Sequence, residues 1–553
     1  MRAFLDVLRF ELRMQCGSRL FQGLLFLFFA VHLLTAAQTG INLTDNELIH
    51  IGSPYLIFQT QLVLSLFGLL PALIFVVQSI VRDYDRATVE LFFTTPVDAP
   101  AWLLGRFAGG TICALLAALA GLLGTVTGGF MPWLDQSRIG PFDIVSYAAS
   151  FVAIDLPNVG DQTAVAPGVL TRTWEKDGRR YFEYVLEQPA WPAVSLNSAR
   201  YEVTRDKWND VALEVYHDPK HPWNVGVMLD TMRKGLDYYS REYSKYPLHE
   251  FRILEYPRYR SAAQAFPGGV GYSEAAGFLT DLSGWASLDY TTLHELAHQW
   301  WGGMIYGAKM QGRQMLNETM AQYSTLMVFK EEKNPEWLRR ILAATHSNYL
   351  RGRSREGVAE QPLMYTEDQG NISYNKGALV MFALQDLIGA ERMHQGLRNF
   401  LDKFAMQPPP YPTSRDLINE LRAVAGPEYQ QFITDLFERI TLFDVAVAGA
   451  SVKPIGDAYE VTVDVRARQF EADGQGVEHE VPLDTWFNVV VFPDQKTGVL
   501  SQTPLYEQKH RLTSGTHRLL VRVPQRPGRV GVDPFHLMID RTPDNNLYTL
   551  PAR

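Results

Sequence analysis

Two histidines and a glutamate in one short segment could bind and use a metal ion. In LDYTTLHELAHQWWGG, His294 and His298 are four residues apart, and Glu295 directly follows the first. On a helix this spacing places both imidazoles on one face, one turn apart, where they can bind a single tetrahedral Zn²⁺. Glu295 could then reach an attacking water rather than the metal itself, and we predict it to be the general base. Histidines that only satisfy hydrogen bonds in a helix are the structural alternative.

A third ligand is needed, because zinc sites of hydrolytic enzymes have three protein ligands and one open position. The segment LNETMAQYSTLMVF begins a second helix of apolar periodicity, with Glu318 in its first turn. Two antiparallel helices joined by a turn would bring Glu318 to the same ion and complete a His₂Glu set. A glutamate that only complements the helix dipole is the alternative.

These two segments together resemble a known family. HELAHQWWG followed by LNETMAQYS is similar to the gluzincin aminopeptidases, the family of membrane alanyl aminopeptidase, and the likeness extends over about residues 200–553. The family has eighteen residues between the second histidine and the glutamate, whereas nineteen separate His298 from Glu318. We expect the extra residue in the loop 303–315. The resemblance implies Zn²⁺ as cofactor and short peptides with a free N-terminus as substrates.

Further site residues follow from the resemblance alone. ISYNKGALV is similar to the segment in which the family's transition-state tyrosine precedes a Lys-Gly pair, which makes Tyr374 the candidate donor to the oxyanion. GYSEA keeps the glycine and glutamate of the family loop that binds the substrate's α-amine, which implies substrate-binding roles for Gly271 and Glu274. The methionine and asparagine of that loop are absent here. The structural alternatives are a buried core tyrosine and a solvated loop glutamate.

The composition excludes several other classes of protein and site. The chain has 51 Lys and Arg against 60 Asp and Glu and shows no basic cluster, so we expect no nucleic-acid partner. The two cysteines, Cys16 and Cys113, fall in or beside the apolar N-terminal region. The polar part therefore has neither a disulfide framework nor a cysteine-based zinc site.

Charge-free stretches near the N-terminus predict three membrane spans, at residues 20–37, 55–81 and 107–131. Residues 1–19 predict an amphipathic helix at the cytoplasmic interface. The loop 82–106 carries arginines and the loop 38–54 carries neither Lys nor Arg, which places the N-terminus and the second loop in the cytoplasm. We predict a multi-pass protein of a bacterial inner membrane. Three spans place the peptidase outside the cytoplasm, whereas an even number in a longer parent would place it inside.

The second of these loops also resembles part of a transporter. RDYDRATVELFFTTPVDAPAWLLGR is similar to the loop between the second and third spans of an ABC-transporter permease, with matches at Glu90, Leu91, Thr95 and Pro96. This resemblance covers roughly residues 1–132 and implies membrane lipid as a partner. The chain contains no GxxxxGK[ST] phosphate loop, so an ABC ATPase would be a separate subunit.

We therefore expect a multidomain protein with transmembrane α-helices, a thermolysin-like α+β zinc peptidase domain, a helical layer and a C-terminal β-sandwich. The expected parts are an interfacial helix at 1–19, three permease-like helices at 20–132, a linker with a truncated β-rich segment at 133–205, the catalytic domain at 206–335, its helical part at 336–445 and the sandwich at 446–553. The large β domain of the family does not fit into 133–205. We therefore expect a shortened form of a permease–peptidase fusion.

The favoured function is a membrane-anchored zinc aminopeptidase that removes N-terminal residues from peptides through attack of an activated water. One alternative is an ABC-transporter permease subunit whose peptidase-like domain binds peptides without cleaving them. Another is a zinc hydrolase acting on a substrate other than a peptide, because the same site can activate water against other electrophiles.

Overall fold

The computed structural model describes residues 2–42, 75, 99–134, 161–176, 179–186, 195–258, 261–333, 335–494 and 498–551. The chain divides into two compact units, Met1–Pro157 and Asn158–Arg553.

The described part of the first unit is helical, with α1 (Arg2–Cys16), α2 (Arg19–Asn42) and α3 (Ala99–Gly128). Two segments of these helices, Arg19–Ala37 and Pro100–Gly128, are long and apolar enough to cross a membrane, by length and composition only. Helices α2 and α3 pack closely, since a Cβ on Gly124 would lie 2.2 Å from the carbonyl oxygen of Phe29.

The predicted boundaries in this unit differ in part from the structure. The expected span at 55–81 lies outside the described residues, apart from Phe75. Helix α3 begins at Ala99 rather than at residue 107. Arg106, expected in a cytoplasmic loop, therefore lies inside this helix, fully buried and paired with the buried Glu11 of α1. A buried arginine needs such a carboxylate partner, because an unpaired charge in an apolar environment is costly.

Short β-strands make up most of what the structure describes of the region 133–205. They are β1 (Thr163–Val165), β2 (Val169–Lys176), β3 (Arg179–Val185) and β4 (Asn197–Ala199). β2 pairs with β3 and β1 with β4, both antiparallel.

A mixed five-stranded sheet supports the predicted catalytic segment. Its strands are β5 (Glu202–Trp208), β6 (Val211–His217), β7 (Glu250–Tyr256), β8 (Ala263–Phe266) and β9 (Gly269–Ser273), in the order β5-β6-β7-β9-β8. β6, β7 and β9 are parallel to one another, while β5 and β8 run antiparallel at the two edges. β7 and β9 are buried on both faces, as is typical of strands in a sheet covered by helices.

Helices cover this sheet and continue as a layer behind the site. They are α4 (Val225–Glu242), α5 (Glu274–Gly277), α6 (Ala286–Ala297), α7 (Met320–Glu332), α8 (Pro335–Arg353), α9 (Gly377–Ile388), α10 (Ala390–Phe404), α11 (Ser414–Ala425) and α12 (Gln430–Ile433). Three π-helical segments interrupt the layer, at Met315–Thr319, Asn371–Lys376 and Thr434–Glu438. α4 and α6 approach closely, because a Cβ on Gly235 would lie 2.6 Å from a methyl of Leu296.

Two four-stranded antiparallel sheets form the C-terminal part. One contains β10 (Ile440–Ile455), β11 (Ala458–Ala472), β12 (Glu478–Val481) and β15 (Gly515–Val523); the other contains β13 (Asp484–Pro493), β14 (Tyr506–Thr513), β16 (Pro527–Val532) and β17 (Leu547–Thr549). Valines of both sheets belong to one buried core, which is the packing of a β-sandwich. The sheet begins at Ile440, a few residues before the predicted boundary at 446.

Candidate active site

The two histidines and Glu318 converge in the structure. His294 lies in the last turn of α6, and His298 directly follows that helix. Glu318 comes from the π-helical segment ahead of α7. The Nε2 atoms of the two histidines are 3.1 Å apart, and Oε2 of Glu318 lies 3.2 Å from Nε2 of His294 and 3.4 Å from Nε2 of His298. These three ligand atoms form a compact triangle, as the sequence predicts.

The distances and the donor set fit a zinc ion. With tetrahedral bonds of ~2.0–2.1 Å, neighbouring ligand atoms lie roughly 3.3–3.4 Å apart. Nδ1 of His298 donates a hydrogen bond to the carbonyl oxygen of Trp301 at 2.9 Å, so in the neutral ring the lone pair is on Nε2, the atom that would bind a metal. Lone pairs of two imidazoles and a carboxylate directed at one point repel one another unless a cation or a shared proton lies between them. Two histidines, a carboxylate and one open position are the donor set of a hydrolytic zinc site.

Asn317 holds the Glu318 carboxylate. Its Nδ2 donates a hydrogen bond to Oε1 of Glu318 at 3.0 Å, which leaves Oε2 to face the histidines. Gly302 makes room for Asn317, since a Cβ at residue 302 would lie 2.1 Å from Oδ1 of Asn317. The φ of Gly302 is +102, which also requires glycine. Nothing in the sequence marks Asn317 except its place directly before a predicted ligand.

Glu318 lies in a π-helical turn. Such a turn typically marks one extra residue in an α-helix and often occurs at functional sites. The sequence predicts that the extra residue between His298 and Glu318 lies in the loop 303–315. The segment Met315–Thr319 offers a second place for it, because a π turn takes up one residue without breaking the helix that follows.

Glu295 and Tyr374 border the ligands. Glu295 is 8% exposed, and its charge contributes to the pKa values of His298 and Tyr374, so it lies within electrostatic reach of both. The ring of Tyr374 stacks beside that of His294, with 5.7 Å between the centroids. Tyr374 is 37% exposed, so it is not the buried core tyrosine of the structural alternative. The structure thus brings both predicted catalytic side chains to the ligands, and their catalytic roles remain predictions.

Charges at the site shift several pKa values. Burial lowers the pKa of His298, but the hydrogen bond and the charge of Glu318 outweigh it and raise the pKa to about 9. Burial raises the pKa of Glu318, yet its contacts with both histidines hold it well below the usual range. Burial, and then the charge of Glu318, raise the pKa of Tyr374 well above that of a free phenol. Tyr374 therefore keeps its proton at neutral pH and can donate it in a hydrogen bond.

Glu274 belongs to a second cluster. It begins the short helix α5, directly after β9. The ligand atoms of His221, Glu255 and Glu274 all lie within 4.8 Å of one another. Glu255 is nearly buried, and its Oε1 lies 2.5 Å from Nδ1 of His221. Two carboxylates beside one imidazole attract positive charge, which is the property that an anchor for a substrate amine needs.

Gly271 lies in β9, an inner strand of the five-stranded sheet. It pairs with Leu254 of β7 on one side and with Gln264 of β8 on the other. A Cβ on Gly271 would meet no atom closer than 3.5 Å, the ring of Tyr256. The backbone of Gly271 thus pairs with strands on both sides. Any contact with substrate would use the space left by its missing side chain.

Two residues that the sequence does not mark hold the segment that carries Tyr374. Oγ1 of Thr319, next to Glu318, donates a hydrogen bond to the carbonyl oxygen of Ser373, next to Tyr374, at 2.6 Å. Lys376, at the end of the same π segment, is fully buried and forms an ion pair with Glu360 at 3.0 Å. Both contacts fix the segment that carries Tyr374. No pattern in the sequence pairs these residues, because they are distant along the chain.

Comparisons with known proteins agree with this geometry. Residues 227–439 match the model of the peptidase family M1 domain. The chain is similar to probable aminopeptidase 1 of Sulfurisphaera tokodaii, with 28% identity over 242 residues, covering 41% of this chain and 30% of that protein. It is also similar to aminopeptidase N of Lactobacillus helveticus, with 26% identity over 246 residues, covering 41% of this chain and 29% of that protein.

A solved structure shares the fold. The crystal structure of Legionella pneumophila aminopeptidase A in complex with aspartic acid matches with a TM-score of 0.50 and 13% identity, over 71% of this chain and 43% of that one. The family match and the two relatives make the segment that carries His294, His298 and Glu318 similar to peptidase family M1, while the solved structure shows a shared fold alone. The alignments span less than a third of the length of these two relatives. The family match lies outside residues 1–132, so the permease likeness stays a prediction.

Proposed function

We propose that this chain is a zinc aminopeptidase, which hydrolyses the first peptide bond of short peptides with a free N-terminus. The observation that carries the proposal is the triangle of His294, His298 and Glu318 ligand atoms, 3.1–3.4 Å apart, beside Glu295 and Tyr374. The match to the M1 domain supports it. Zinc held by these three ligands would polarise the attacking water and the scissile carbonyl.

The side chains of the site have distinct parts in this reaction. Glu295 accepts a proton from the attacking water and passes it to the leaving amine. Tyr374 keeps its proton at neutral pH and donates a hydrogen bond to the oxyanion of the tetrahedral intermediate. Glu274, with Glu255 beside it, pairs with the substrate's ammonium group, and this pairing restricts cleavage to the first residue.

Hydrolysis of a panel of aminoacyl-fluorophore amides tests the proposal. The purified full chain in detergent is assayed after loading with zinc, and bound metal is counted by mass spectrometry. We expect about one zinc per chain and turnover that Glu295→Gln lowers by at least a hundredfold, because the general base is lost while the ligands remain. A matched control is Glu391→Gln, an 86% exposed glutamate of α10 that should change neither value.

Two outcomes would contradict the proposal. Stoichiometric zinc without turnover of any amide or free peptide would favour the alternative of a permease subunit that binds peptides without cleaving them. Turnover that survives in Glu295→Gln would show that a different group activates the water.

We further propose that the chain is anchored in a membrane by its N-terminal helices. The apolar segments Arg19–Ala37 and Pro100–Gly128 support this proposal, and the permease-like loop supports association with a separate ABC ATPase subunit. Membrane fractionation after alkaline carbonate extraction tests the anchor. Protease protection of the peptidase part in sealed vesicles determines its side. Full release of the chain by carbonate would contradict membrane anchoring.

A further inference from the structure

A small cavity opens beside the metal ligands. It has a volume of about 90 Å³, and its wall includes His298, Glu318, Asn317, Tyr306 and Arg313. Gln264 and Ala265 of the edge strand β8 close another side. A substrate bound at the three ligands can therefore extend directly into this cavity. The cavity is too small for a long stretch of peptide.

Arg313 is the only lysine or arginine among the described residues that line this cavity. It follows Gly312 in the connection between α6 and α7, and its side chain is exposed. Its guanidinium lies over the ring of Tyr306 at 5.0 Å, and Tyr306 in turn packs edge-on against Tyr411 with 5.0 Å between the centroids. Stacking on a ring holds the plane of a guanidinium while leaving its N–H groups free to bind an anion.

The charge of Arg313 has no partner within the described part of the chain. No carboxylate of these residues lies within ion-pair distance of its guanidinium, although many other arginines of the peptidase unit are paired, such as Arg353 with Glu360 and Arg422 with Glu438. A fixed positive charge on the wall of a cavity that also contains two metal ligands is suited to bind an anionic group of the substrate.

We propose that Arg313 binds the α-carboxylate of a short peptide and so directs the enzyme toward dipeptides and tripeptides. This inference rests on the proposed aminopeptidase function and names its substrate class. Guanidinium and carboxylate match in a two-point hydrogen-bonded pair, which is stronger than a neutral hydrogen bond. The small cavity favours a peptide end over the middle of a chain, so the α-carboxylate fits better than an acidic side chain of a longer substrate.

Matched peptides and variants test this inference. Xaa is the N-terminal residue preferred among the fluorophore amides. The substrates are Xaa-Ala and Xaa-Ala-Ala as free acids, the same peptides as C-terminal amides, and Xaa-Asp amide. We expect the wild-type chain to prefer at least one of the free acids by about tenfold in kcat/KM, mostly through KM, because the contact exists before and during the reaction.

The variants separate the role of Arg313 from a general effect on the site. Arg313→Ala should abolish the preference for free acids, and Arg313→Lys should keep part of it, because lysine retains the charge but not the two-point geometry. Lys309→Ala is the matched control, an exposed basic residue of the same connection that does not line the cavity. Fluorophore amides lack the carboxylate, so kcat/KM for the free acids divided by kcat/KM for the fluorophore amide should fall in Arg313→Ala, fall less in Arg313→Lys and stay unchanged in Lys309→Ala.

Several results would overturn the inference. Equal rates for acids and amides in the wild-type chain, or a preference that survives Arg313→Ala, would exclude this role. If only Xaa-Asp amide has a higher kcat/KM than Xaa-Ala amide, and Arg313→Ala removes this difference, Arg313 binds an acidic side chain instead of the α-carboxylate. Failure of the aminopeptidase proposal itself would look different, because then no substrate of either kind would be hydrolysed.

Discussion

At the scale of single residues, removal of the Tyr374 hydroxyl tests the proposed hydrogen bond to the oxyanion most directly. Tyr374→Phe removes the proposed donor to the oxyanion while keeping the ring that stacks beside His294. We expect kcat to fall about 10²–10³-fold, the usual effect of losing one oxyanion donor, with little change in KM or in bound zinc. Steady-state kinetics on the best fluorophore amide measures the effect. Tyr459→Phe, in β11 and far along the chain from the site, serves as control, and a KM effect alone would contradict the catalytic role.

Asn317 acts on the metal through Glu318. Asn317→Ala removes the hydrogen bond to Oε1 of Glu318, so the carboxylate can rotate away from the histidines. Loss of such a partner typically weakens metal binding 10–100-fold. Competition with a fluorescent zinc chelator measures this affinity. Unchanged affinity with normal turnover would show that the Gly302 turn alone fixes the segment.

Residue types and spacings predicted the ligands but not what orients them. His294, His298 and Glu318 could be found because metal ligands follow from residue type and helix periodicity. Asn317 carries no such signal, because an asparagine before a glutamate is common and its contact with the Gly302 turn depends on tertiary structure. The sequence does not mark Arg313 either, because its proposed role depends on the cavity that it lines, which forms only in the folded protein.

At the scale of elements, the contact between two π-helical segments positions the ligands against the tyrosine. Gly377 is packed against Thr319, since a Cβ there would lie 2.2 Å from Oγ1 of Thr319. Gly377→Ala should push these segments apart and break the bond from Thr319 to Ser373. We expect kcat/KM to fall by about 10²-fold, because misplacement by about 1 Å can cost that much. Kinetics and zinc counting on the purified variant measure the change.

Gly370, which directly precedes the π-helical segment Asn371–Lys376, provides the control. Gly370→Ala meets no atom closer than 3.9 Å and should behave like the wild-type chain. Thr319→Ala in the Gly377→Ala background removes the two closest atoms and should restore part of the activity. Full activity of Gly377→Ala alone would show that the segments tolerate the shift.

The helices and strands also show which parts of the fold can be predicted from sequence patterns. Apolar periodicity predicted the helices around the site, and the alternation after residue 446 predicted a β-sandwich. The strand β10 begins earlier, at Ile440, and its first eight residues are all buried, so they do not alternate between apolar and polar. The π-helical segments were not predicted, since one extra residue in a helix leaves the apolar pattern nearly unchanged.

At the scale of the whole peptidase unit, one buried titratable group joins the helical layer to the C-terminal part and a second lies within that part. His346 of α8 stacks on His536, with 5.2 Å between the ring centroids. Burial, then the charge of His536, lower the pKa of His346 to about 4. Asp540, near the C-terminus, accepts a hydrogen bond from the backbone of Val445, and burial raises its pKa to about 6.

These two groups should act on stability in opposite directions. His346 has a lowered pKa, so its contribution is present above about 6.5 and is lost as the pH falls toward 4. Asp540 has a raised pKa, so its contribution is present near pH 4 and is lost as the pH rises through about 6. Each effect amounts to at most about 3 kcal/mol, and between pH 6 and 4 the two largely cancel in the wild-type chain.

Substituting either group alone should therefore change the pH dependence of the melting temperature, in opposite directions for the two variants. We expect the melting temperature of His346→Phe, relative to wild type, to rise as the pH is lowered from 7 to 4.5, because only the contribution of Asp540 remains. Asp540→Asn should show the reverse, whatever its cost at neutral pH. Loss of zinc in acid affects all three proteins alike and cancels in the difference. Thermal melts in detergent followed by tryptophan fluorescence measure these slopes. Parallel curves for both variants would mean that neither group is coupled to unfolding.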